Sequence, residues 1–374
     1  MMRKIILSLT ILLTLCGISN ADFIYATSDG HLGTVKINSS SDIEAPSIQY
    51  RGTMSNSSMI PFLMSYWNGT TTRVMMIDRF ATESGDRAYV FNPTDMSQCI
   101  SSADMNGVYG TTLGGFADNG HSVFLAGFST VYEVDTSSFR VRNSFDCSRV
   151  ISRDGYDTET ECLAVDSSLI HVVASSGERQ KYMRFEGQLK TGVSSFLSAD
   201  TSAGASAMMT TSNNWPIIGH SSGIDVMRSD KKFYRTISTD YPVKAMCTDS
   251  SGNLFYSTQY QDGDNYVNTI SLFVLGTEFT PVTITSTSPN FRLLRDNSHK
   301  DTFAAMTDEG IRFITFQNGR TLIREYTASE LGGTPVGIAA ATVSGYNANS
   351  SSSGCNSGIG LVISALIFCL MRRK

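Results

Sequence analysis

One pattern recurs along the middle of the chain and restricts the fold more than any other feature. A short apolar strand ends in a small residue, turns through a few polar residues that often include Gly, and continues as an alternating strand. Residues 23–30 (FIYATSDG) and 303–310 (FAAMTDEG) are two clear copies. The copies align on Ala26, Ile77, Ala126, Ala174, Gly219, Ser257 and Met306, which gives successive steps of 51, 49, 48, 45, 38 and 49 residues. A multi-stranded repeat of about 40–50 residues is typical of a β-propeller blade.

The last copy shows how one unit divides into four strands. These are predicted at residues 290–295, 302–307, 311–316 and 321–326. Asn318-Gly319 lies between the last two and is a strong hairpin signal, because a type I′ turn needs positive φ at both central residues. A four-stranded unit cannot bury both faces alone, so units of this kind stack on one another. The sequence therefore predicts an all-β propeller.

The two ends of the repeat region indicate how the ring closes. The chain enters the repeats at a second strand, residues 23–27, with no room for a first strand before it. It leaves them with an unpaired strand, residues 335–343, that resembles the innermost strand at 242–248. We expect this last strand to complete the first blade as a velcro closure, which removes free sheet edges. The prediction is a seven-bladed propeller over residues 22–344.

Other blade counts and folds remain open at this point. The second copy of the repeat is weak and the 38-residue step is short, so six or eight blades are also compatible. A pair of β-sandwiches or a β-solenoid is the alternative fold. The repeat resembles that of generic WD40- or YVTN-like propellers, and this resemblance implies a ring of blades without implying a ligand.

The N-terminal residues 1–21 are typical of a secretory signal peptide. Arg3 and Lys4 precede an apolar run from residue 5 to 18, and Ser19-Asn20-Ala21 ends in the small residues that signal peptidase requires. Cleavage after Ala21 is therefore expected. An uncleaved anchor is the alternative, and a lipoprotein at Cys16 is less favoured because Leu15 precedes it where a small residue is usual.

The C-terminal residues have three parts. A Ser-, Gly- and Asn-rich linker at 345–357 contains Gly-Cys-Asn, a predicted transmembrane helix follows at 358–371, and residues 372–374 are a basic stop on the cytoplasmic side. The uninterrupted apolar run from 359 to 371 is short, since a relaxed span takes about 20 residues. Preceding small residues and snorkelling arginines extend its reach.

This tail resembles the C-terminal sorting domains of bacterial envelope proteins, and most closely the Synerg-CTERM type. The matching positions are Gly354, Cys355, Asn356 and Gly358, followed by the apolar run and the Arg pair. The resemblance covers only the last 25 or so residues. It implies a sorting protease that cuts the tail, transfer of the mature protein to the cell surface, and Cys355 as the candidate for lipid attachment. A permanent single-pass anchor is the alternative.

Charge and cysteine content limit the partners. Five of the 29 Lys and Arg residues lie in the two terminal segments and no Asp or Glu does, so the mature domain carries 24 − 34 = −10. An acidic domain of this kind is a poor nucleic-acid binder. We expect Cys162 and Cys247 to be buried in strands, whereas a bridge between Cys99 and Cys147 remains open.

Catalytic and metal-binding patterns are weak. Gly219-His220-Ser221-Ser222-Gly223 fits G-x-S-x-G, but a strand follows it rather than the helix of a nucleophile elbow, so a turn is favoured. The Asp262–Asn265 segment offers oxygen ligands without a full EF-hand pattern and is expected to be a hairpin turn. Trp67 and Trp215 are the only tryptophans. The five histidines sit singly in different repeats: solvated turn positions are expected for His31, His121, His220 and His299, and a strand start for His171. We predict no metal and no cofactor.

The sequence favours a binding, adhesion or scaffold module over an enzyme. Inner strands such as 203–210 and 335–343 are mostly small and apolar, whereas a propeller enzyme should place several titratable groups there. The ligand is expected to be an unidentified protein or glycan, with no nucleic acid. The alternative is an extracellular lyase or hydrolase with its site at the channel mouth, and a third option is a structural part of an envelope assembly.

Overall fold

The computed structural model describes residues 22–341 with internal gaps, together with residues 350–351 and 355–356 near the C-terminus. The gaps within 22–341 are 38–42, 52–60, 118, 153, 167–168, 187–188, 190–196, 203, 211–215, 228–232, 249–252, 274–280, 296–301 and 318–319. The described residues form seven antiparallel four-stranded sheets, and we call these sheets blades 1 to 7.

Within blades 2 to 7 the four strands follow one another in the chain, from the innermost first strand to the outermost fourth. Blade 1 takes its last three strands from the N-terminal residues: β1 (Phe23–Thr27), β2 (His31–Val35) and β3 (Ser47–Arg51). Blade 2 contains β4 (Phe62–Trp67), β5 (Thr72–Thr82), β6 (Gly85–Phe91) and β7 (Ser101–Asn106). Blade 3 contains β8 (Leu113–Phe116), β9 (Ser122–Gly127), β10 (Thr130–Asp135) and β11 (Val141–Asp146). Blade 4 contains β12 (Thr158–Asp166), β13 (Leu169–Ser176), β14 (Arg179–Glu186) and β15 (Leu197–Asp200).

The remaining blades are built in the same way. Blade 5 contains β16 (Ala207–Thr210), β17 (Pro216–His220), β18 (Gly223–Met227) and β19 (Phe233–Ser238). Blade 6 contains β20 (Val243–Thr248), β21 (Leu254–Asp262), β22 (Asn265–Phe273) and β23 (Val282–Ser286). Blade 7 contains β24 (Arg292–Arg295), β25 (Thr302–Thr307), β26 (Gly310–Gln317) and β27 (Arg320–Thr327). Two one-turn helices, α1 (Ser148–Ile151) and α2 (Ala328–Leu331), lie in the connections that leave blades 3 and 7.

The ring closes as the sequence predicts. The strand β28 (Pro335–Ala340) pairs antiparallel with β1, from Phe23↔Ala340 to Ala26↔Gly337, and supplies the first strand of blade 1. The hydroxyl of Ser65 in blade 2 donates a hydrogen bond to the Ala340 carbonyl at 2.5 Å, and Gly337 leaves space for the Leu63 side chain. The closing strand is thus tied to both blade 1 and blade 2. Seven blades with a velcro closure are confirmed, and the sandwich and solenoid alternatives are wrong.

The core lies between neighbouring blades, which explains the apolar second strands. Every residue of β1, β9 and β25 is buried, whereas β3 and β11 are exposed at alternate or nearly alternate positions. A second strand is covered on both faces by adjacent blades, so it reads as a continuous apolar run. An outermost strand meets solvent at the rim and keeps the period of two that the pleat imposes.

The cysteines are separate. Cys162 lies in β12 and Cys247 in β20, and both are buried as predicted. The bridge between Cys99 and Cys147 is not formed: Cys99, Cys147, Cys162 and Cys247 are free thiols. Cys99 packs between blades 1 and 2, whereas Cys147 packs between blades 3 and 4, where burial raises the pKa of its thiol to about 12.

Most of the terminal predictions lie outside the described residues. These include the signal peptide at 1–21 with its cleavage residue Ala21, and, in the C-terminal tail, Gly354, Gly358, the transmembrane helix at 358–371 and the basic stop at 372–374. Within the predicted linker, β29 (Ser350–Ser351) and β30 (Cys355–Asn356) pair antiparallel with each other. No helix in the described part of the chain is long and apolar enough to cross a membrane.

Candidate functional site

The ring presents two sets of connections on opposite faces. On one face, which we call the upper face, each second strand turns into the third strand and each blade passes to the next. The chain on this face is described except for residues 52–60, 153 and 203, whereas many connections on the lower face lie outside the described residues. The upper face is therefore the place where a site can be built from side chains.

Exposed aromatic rings are concentrated on this face. Among the described residues, the large hydrophobic side chains that are exposed include four aromatic ones, and all four lie in upper-face connections. They are Tyr109 at 36%, Phe128 at 60%, Tyr156 at 54% and Tyr241 at 44% exposure. The first three, together with the half-buried Phe80, lie over blades 2 to 4. We call Phe80, Tyr109, Phe128 and Tyr156 the aromatic surface. Exposed aromatic patches of this kind mark interaction sites more often than single exposed residues do.

Two rings of the aromatic surface stand on strained backbone. Phe80 has φ 53° and Phe128 has φ 50°, which is the left-handed region. Bulky side chains rarely adopt this conformation, which costs about 1–2 kcal/mol per residue. Phe128 lies in the two-residue turn between β9 and β10, where Gly, Asn or Asp is usual. The strain therefore sets the direction of a ring that adds little to the core.

A third phenylalanine gives the contrast. Phe139 also has a left-handed backbone, at φ 55°, but its ring is only 6% exposed and packs into the largest core cluster. Burial of a phenyl ring offsets such strain. Phe128 has the same conformation with a ring that is 60% exposed. Strain at an exposed side chain indicates function more strongly than strain at a buried one.

Glycines make room for the rings. A Cβ atom on Gly110, which has φ 64°, would lie 2.8 Å from both the Phe80 and the Phe128 ring. A Cβ on Gly127 would lie 2.2 Å from the Tyr109 carbonyl oxygen. The centroids of the Phe80 and Phe128 rings are 5.9 Å apart in a tilted arrangement, which is a favourable distance for an aromatic pair. The loop that carries Tyr109 and Gly110 thus packs directly against both rings.

A buried carboxylate fixes the backbone beneath the aromatic surface. Asp86 in β6 is 0% exposed. Its Oδ1 accepts hydrogen bonds from the N–H groups of Phe80 and Gly110, both at 2.9 Å, and its Oδ2 accepts one from Thr111 N–H at 2.8 Å. A charged acceptor makes such bonds stronger than neutral pairs. One side chain therefore holds both the strained Phe80 and the connection from blade 2 to blade 3.

The turn of Phe128 is held from the next blade. Thr160 N–H of β12 donates a hydrogen bond to the Phe128 carbonyl at 2.7 Å, and Cys147 N–H donates one to Ser129 at 2.8 Å. Tyr156 lies on the same connection between blades 3 and 4, and its ring covers Gly177, where a Cβ would approach to 2.9 Å. Backbone hydrogen bonds thus fix the exposed rings of adjacent blades relative to each other.

The upper face is strongly acidic. Within two residues of a strand end or in the connections of this face, the described chain exposes fourteen carboxylates: Asp29, Glu83, Asp104, Asp154, Asp157, Glu159, Glu178, Asp200, Asp240, Asp262, Asp264, Glu309, Glu325 and Glu330. By the same criterion it exposes three arginines, Arg51, Arg149 and Arg179. This excess accounts for much of the negative charge that the sequence assigns to the domain, and it favours cationic over anionic ligands.

A cavity of about 470 Å³ lies at the edge of the aromatic surface. It lies between α1 and the turn from β13 to β14, and it is lined by Val150, Ile151, Ser152, Glu178, Arg179, Gln180, Lys181, Asp200 and Thr201. Two carboxylates face two basic side chains, and Lys181 Nζ lies 3.9 Å from Asp200. The cavity is therefore polar and close to neutral, unlike the face around it.

The G-x-S-x-G segment is a turn with a buried polar network. Ser221 and Ser222 connect β17 to β18, so no helix follows the serine. His220 is 1% exposed, which makes the prediction of a solvated turn residue wrong for this histidine. Its Nδ1 lies 3.3 Å from both the N–H and the hydroxyl of Ser222, and its Nε2 lies 3.5 Å from Asp225 Oδ1.

This network is structural in its geometry. Asp225 accepts hydrogen bonds from Ser202 and Thr236, both at 2.6 Å. Burial alone would raise the pKa of Asp225, but these hydrogen bonds and the His220 imidazole outweigh it and lower that pKa. The Ser222 hydroxyl is farther from the imidazole than the 2.6–3.2 Å typical of a nucleophile and its base, and it shares that nitrogen with a backbone N–H. The group ties the turn to β18, β19 and the preceding connection.

The other described histidines, His31, His121 and His171, lie in three different blades. His31 is half-buried and His121 is exposed on the lower face, while His299 lies outside the described residues. His171 is fully buried with its Nδ1 2.8 Å from the Tyr182 hydroxyl, and burial next to Arg184 lowers the pKa of His171 to about 3. It is a neutral core residue.

The Asp262–Asn265 segment is a hairpin turn between β21 and β22, as predicted, with Gly263 at φ 60°. No group of three or more metal-ligating side chains is found in the described chain.

The channel mouth carries isolated titratable groups. Glu161, Lys244 and Arg292 lie near the upper ends of the first strands of blades 4, 6 and 7. Burial raises the pKa of Glu161, which accepts a hydrogen bond from Ser175. Burial lowers the pKa of Arg292. These groups belong to three different blades, and no ion pair joins any two of them among the described contacts.

The sequence did not predict the aromatic surface. The one available signal was the Phe in the Gly-Phe-Ser turn at 127–129.

Comparison with known proteins supports the fold alone. No protein-family model matches the chain, and no curated protein matches it in sequence. A solved structure of a protein from Lactobacillus plantarum is 12% identical, and the match covers 85% of this chain and 98% of that one with a TM-score of 0.54. Kluyveromyces lactis Hsv2 is 8% identical over 83% of this chain and 95% of its own, with a TM-score of 0.48.

A third similar structure is the extracellular domain of a hybrid two component system protein from B. thetaiotaomicron. It is 11% identical over 82% of this chain, with a TM-score of 0.46, and this chain spans only 40% of its length. At these identities the similarity concerns the arrangement of strands and does not extend to a ligand or a reaction. The chain is a seven-bladed β-propeller.

Proposed function

We propose that this protein is an exported binding module that is displayed at the cell surface and engages its ligand through the aromatic surface on the upper face. The observation that carries the proposal is Phe128, whose ring is 60% exposed on a backbone with φ 50°. A side chain that costs conformational strain and adds little burial gives the fold no evident benefit. Binding gives it one, because aromatic rings supply much of the affinity at interfaces.

A binding role fits the channel mouth better than the enzymatic alternative does. A lyase or hydrolase needs a nucleophile, an acid or a base within hydrogen-bond reach of its partners. Glu161, Lys244 and Arg292, near the upper ends of inner strands, belong to three separate blades, and the polar network around His220 and Asp225 is buried. Propeller connections otherwise serve as a rigid platform on which recognition residues are carried.

The test of the binding proposal compares two phenylalanines with the same backbone conformation. Phe128→Gly removes an exposed ring and relieves strain of about 1–2 kcal/mol, so its free energy of unfolding should stay within about 1 kcal/mol of the wild type. Phe139→Gly removes a core ring and should cost about 2–4 kcal/mol. Equilibrium denaturation of the mature protein measures both values.

The same variants are then tested for retention on envelope fragments of the producing cell. Binding should fall at least tenfold for Phe128→Gly while its stability is retained. A Phe128→Gly protein that is as unstable as Phe139→Gly would show that the ring is structural, and an unchanged retention would show that binding takes place elsewhere.

Export and sorting form the second part of the proposal. The signal-like residues 1–21 and the Gly-Cys-Asn tail support cleavage after Ala21, removal of the tail by a sorting protease near Gly354, Asn356 and Gly358, and lipid attachment at Cys355. A tail that remains uncut would instead anchor the protein in the membrane through residues 358–371. The intact mass of the protein from its native envelope decides between these outcomes, because a mass that includes residues 372–374 excludes tail processing.

A further inference from the structure

We propose that the ligand of the aromatic surface is a cationic polypeptide segment, rich in Arg, rather than a neutral glycan. This inference rests on the proposed binding function and specifies its partner. The first observation is the charge imbalance of the upper face, with fourteen exposed carboxylates against three exposed arginines. A face of this charge attracts cations, repels acidic polymers and has no electrostatic preference for an uncharged sugar.

The second observation is that carboxylates alternate with exposed rings over blades 2 to 4. Glu83 lies on the turn whose backbone carbonyl accepts a hydrogen bond from the Tyr109 hydroxyl at 3.4 Å. Asp157 directly follows Tyr156, and Glu178 directly follows Gly177, which the Tyr156 ring covers. A guanidinium group can lie over an aromatic face while its N–H groups donate to a carboxylate. The surface offers both partners side by side.

Within the chain, Phe80 of the aromatic surface already contacts an arginine in this way. The Arg79 guanidinium carbon lies 6.0 Å from the centroid of the Phe80 ring, which is within the range of a cation–π contact. Phe80 is half-buried, so an intramolecular arginine already occupies this ring. The Phe128 ring is more exposed, at 60%. We infer that it receives one basic side chain of the ligand.

The binding site is held in shape before the ligand arrives. Asp86 fixes the backbone of Phe80 and Gly110, and Thr160 N–H fixes the Phe128 carbonyl. A preformed site needs little ordering on binding. The charges of the site are exposed, so added salt screens them and slows the encounter with the ligand. We therefore expect binding to weaken strongly as the salt concentration rises.

The test is a titration of the mature protein with defined peptides, followed by calorimetry or by fluorescence of a label on the peptide. The probe is a 12-residue peptide of alternating Arg and Gly. Control probes are the same length with Lys–Gly, with Glu–Gly, and a neutral oligosaccharide. We expect affinity in the order Arg above Lys, with no binding of the Glu peptide or the sugar, and at least tenfold weaker binding in 0.5 M than in 0.05 M salt.

Charge variants locate the site. The triple variant Glu83→Gln, Asp157→Asn, Glu178→Gln neutralises carboxylates beside the rings, and it should weaken Arg-peptide binding at least tenfold. The matched control is Glu44→Gln, Asp95→Asn, Glu186→Gln, which removes the same charge at exposed positions of the lower face. It should change binding less than about twofold. Equal effects of the two triple variants would overturn the proposal, because only the net charge would then matter.

The Phe128→Gly variant distinguishes failure of the cationic-ligand proposal from failure of the proposed binding function. Phe128→Gly should weaken Arg-peptide binding about tenfold, the size expected for a partly desolvated cation–π contact. Binding of the neutral oligosaccharide that depends on Phe128 would overturn the cationic ligand and leave the proposed binding function standing. A Phe128→Gly variant that loses stability as Phe139→Gly does, without affecting any probe, would overturn both.

Discussion

Replacement of Asp86 should damage the fold far more than replacement of an exposed carboxylate in the same blade. The side chain is fully buried and accepts three backbone hydrogen bonds, from Phe80, Gly110 and Thr111 at 2.8–2.9 Å. Hydrogen bonds to a charged group contribute about 1.5–3 kcal/mol each, and a buried N–H left without a partner costs about 1–3 kcal/mol. Removal of the buried charge returns part of this energy. We expect Asp86→Ala to cost about 3–5 kcal/mol of the free energy of unfolding.

The Asn variant separates charge from shape. Asp86→Asn keeps one oxygen for two of the N–H groups, but its amide nitrogen would face the third donor and cannot accept from it. A cost of about 2–3 kcal/mol is expected, smaller than for Ala. The control is Asp104→Ala in the same blade, which removes a half-exposed carboxylate paired with Arg87 at 2.6 Å and should cost about 1 kcal/mol or less.

Two measurements test this reasoning. Equilibrium denaturation of the mature proteins gives the free energies, and hydrogen exchange gives the local effect. In Asp86→Ala the amides of Phe80, Gly110 and Thr111 should lose protection before those of the blade cores do. If Asp86→Ala is no less stable than Asp104→Ala, or if those three amides stay protected, the carboxylate does not hold the upper face.

Three further predictions concern other parts of the ring. Partial burial alone would raise the pKa of Glu309, but hydrogen bonds from Ser286 and Thr287 outweigh it and lower that pKa from 4.5 to about 2. Because the folded-state pKa is depressed, Glu309→Gln should destabilise the protein fully above pH 5, and thermal unfolding should show the deficit vanishing as the pH falls toward 2. Gly110→Ala should cost at least about 2 kcal/mol and increase exposure of Phe128 to quenchers, since its Cβ would meet both rings; unchanged stability would contradict the tight packing. A chain ending after residue 334 should fail to fold, because it lacks the strand that closes blade 1, whereas one ending after residue 344 should keep its circular dichroism spectrum.

The ring could be predicted from sequence because its regularity is written in local patterns. The predicted second strand at 302–307 coincides with the observed strand, and the last strand closes blade 1 as expected. Strands covered on both faces must be apolar at every position, and this produces a repeat that can be read without any knowledge of contacts. Strand ends shift by a few residues, as at 290–295, where the strand begins at Arg292.

The candidate site could not be predicted in the same way. An aromatic residue in a β-rich chain is usually buried, and Phe128 and Phe139 look alike in sequence although one ring is exposed and the other is in the core. Asp86 gives no signal either, because its partners are backbone groups of residues that lie six and more than twenty positions away. The burial of His220 depends likewise on packing within blade 5. These features arise from tertiary contacts, which the local pattern does not encode.

The strained phenylalanines of the aromatic surface, Phe80 and Phe128, connect stability with recognition. Strain at Phe80 and Phe128 costs about 2–4 kcal/mol together. The expected net contribution of Asp86, about 3–5 kcal/mol, is of similar size and acts at Phe80 and at the Gly110 loop that packs against Phe128. The strained conformation is therefore stable in the free protein, so a ligand does not have to impose it. It follows that loss of Asp86 should weaken ligand binding even in molecules that remain folded, because the ring of Phe80 and the loop of Gly110 would no longer be held against Phe128.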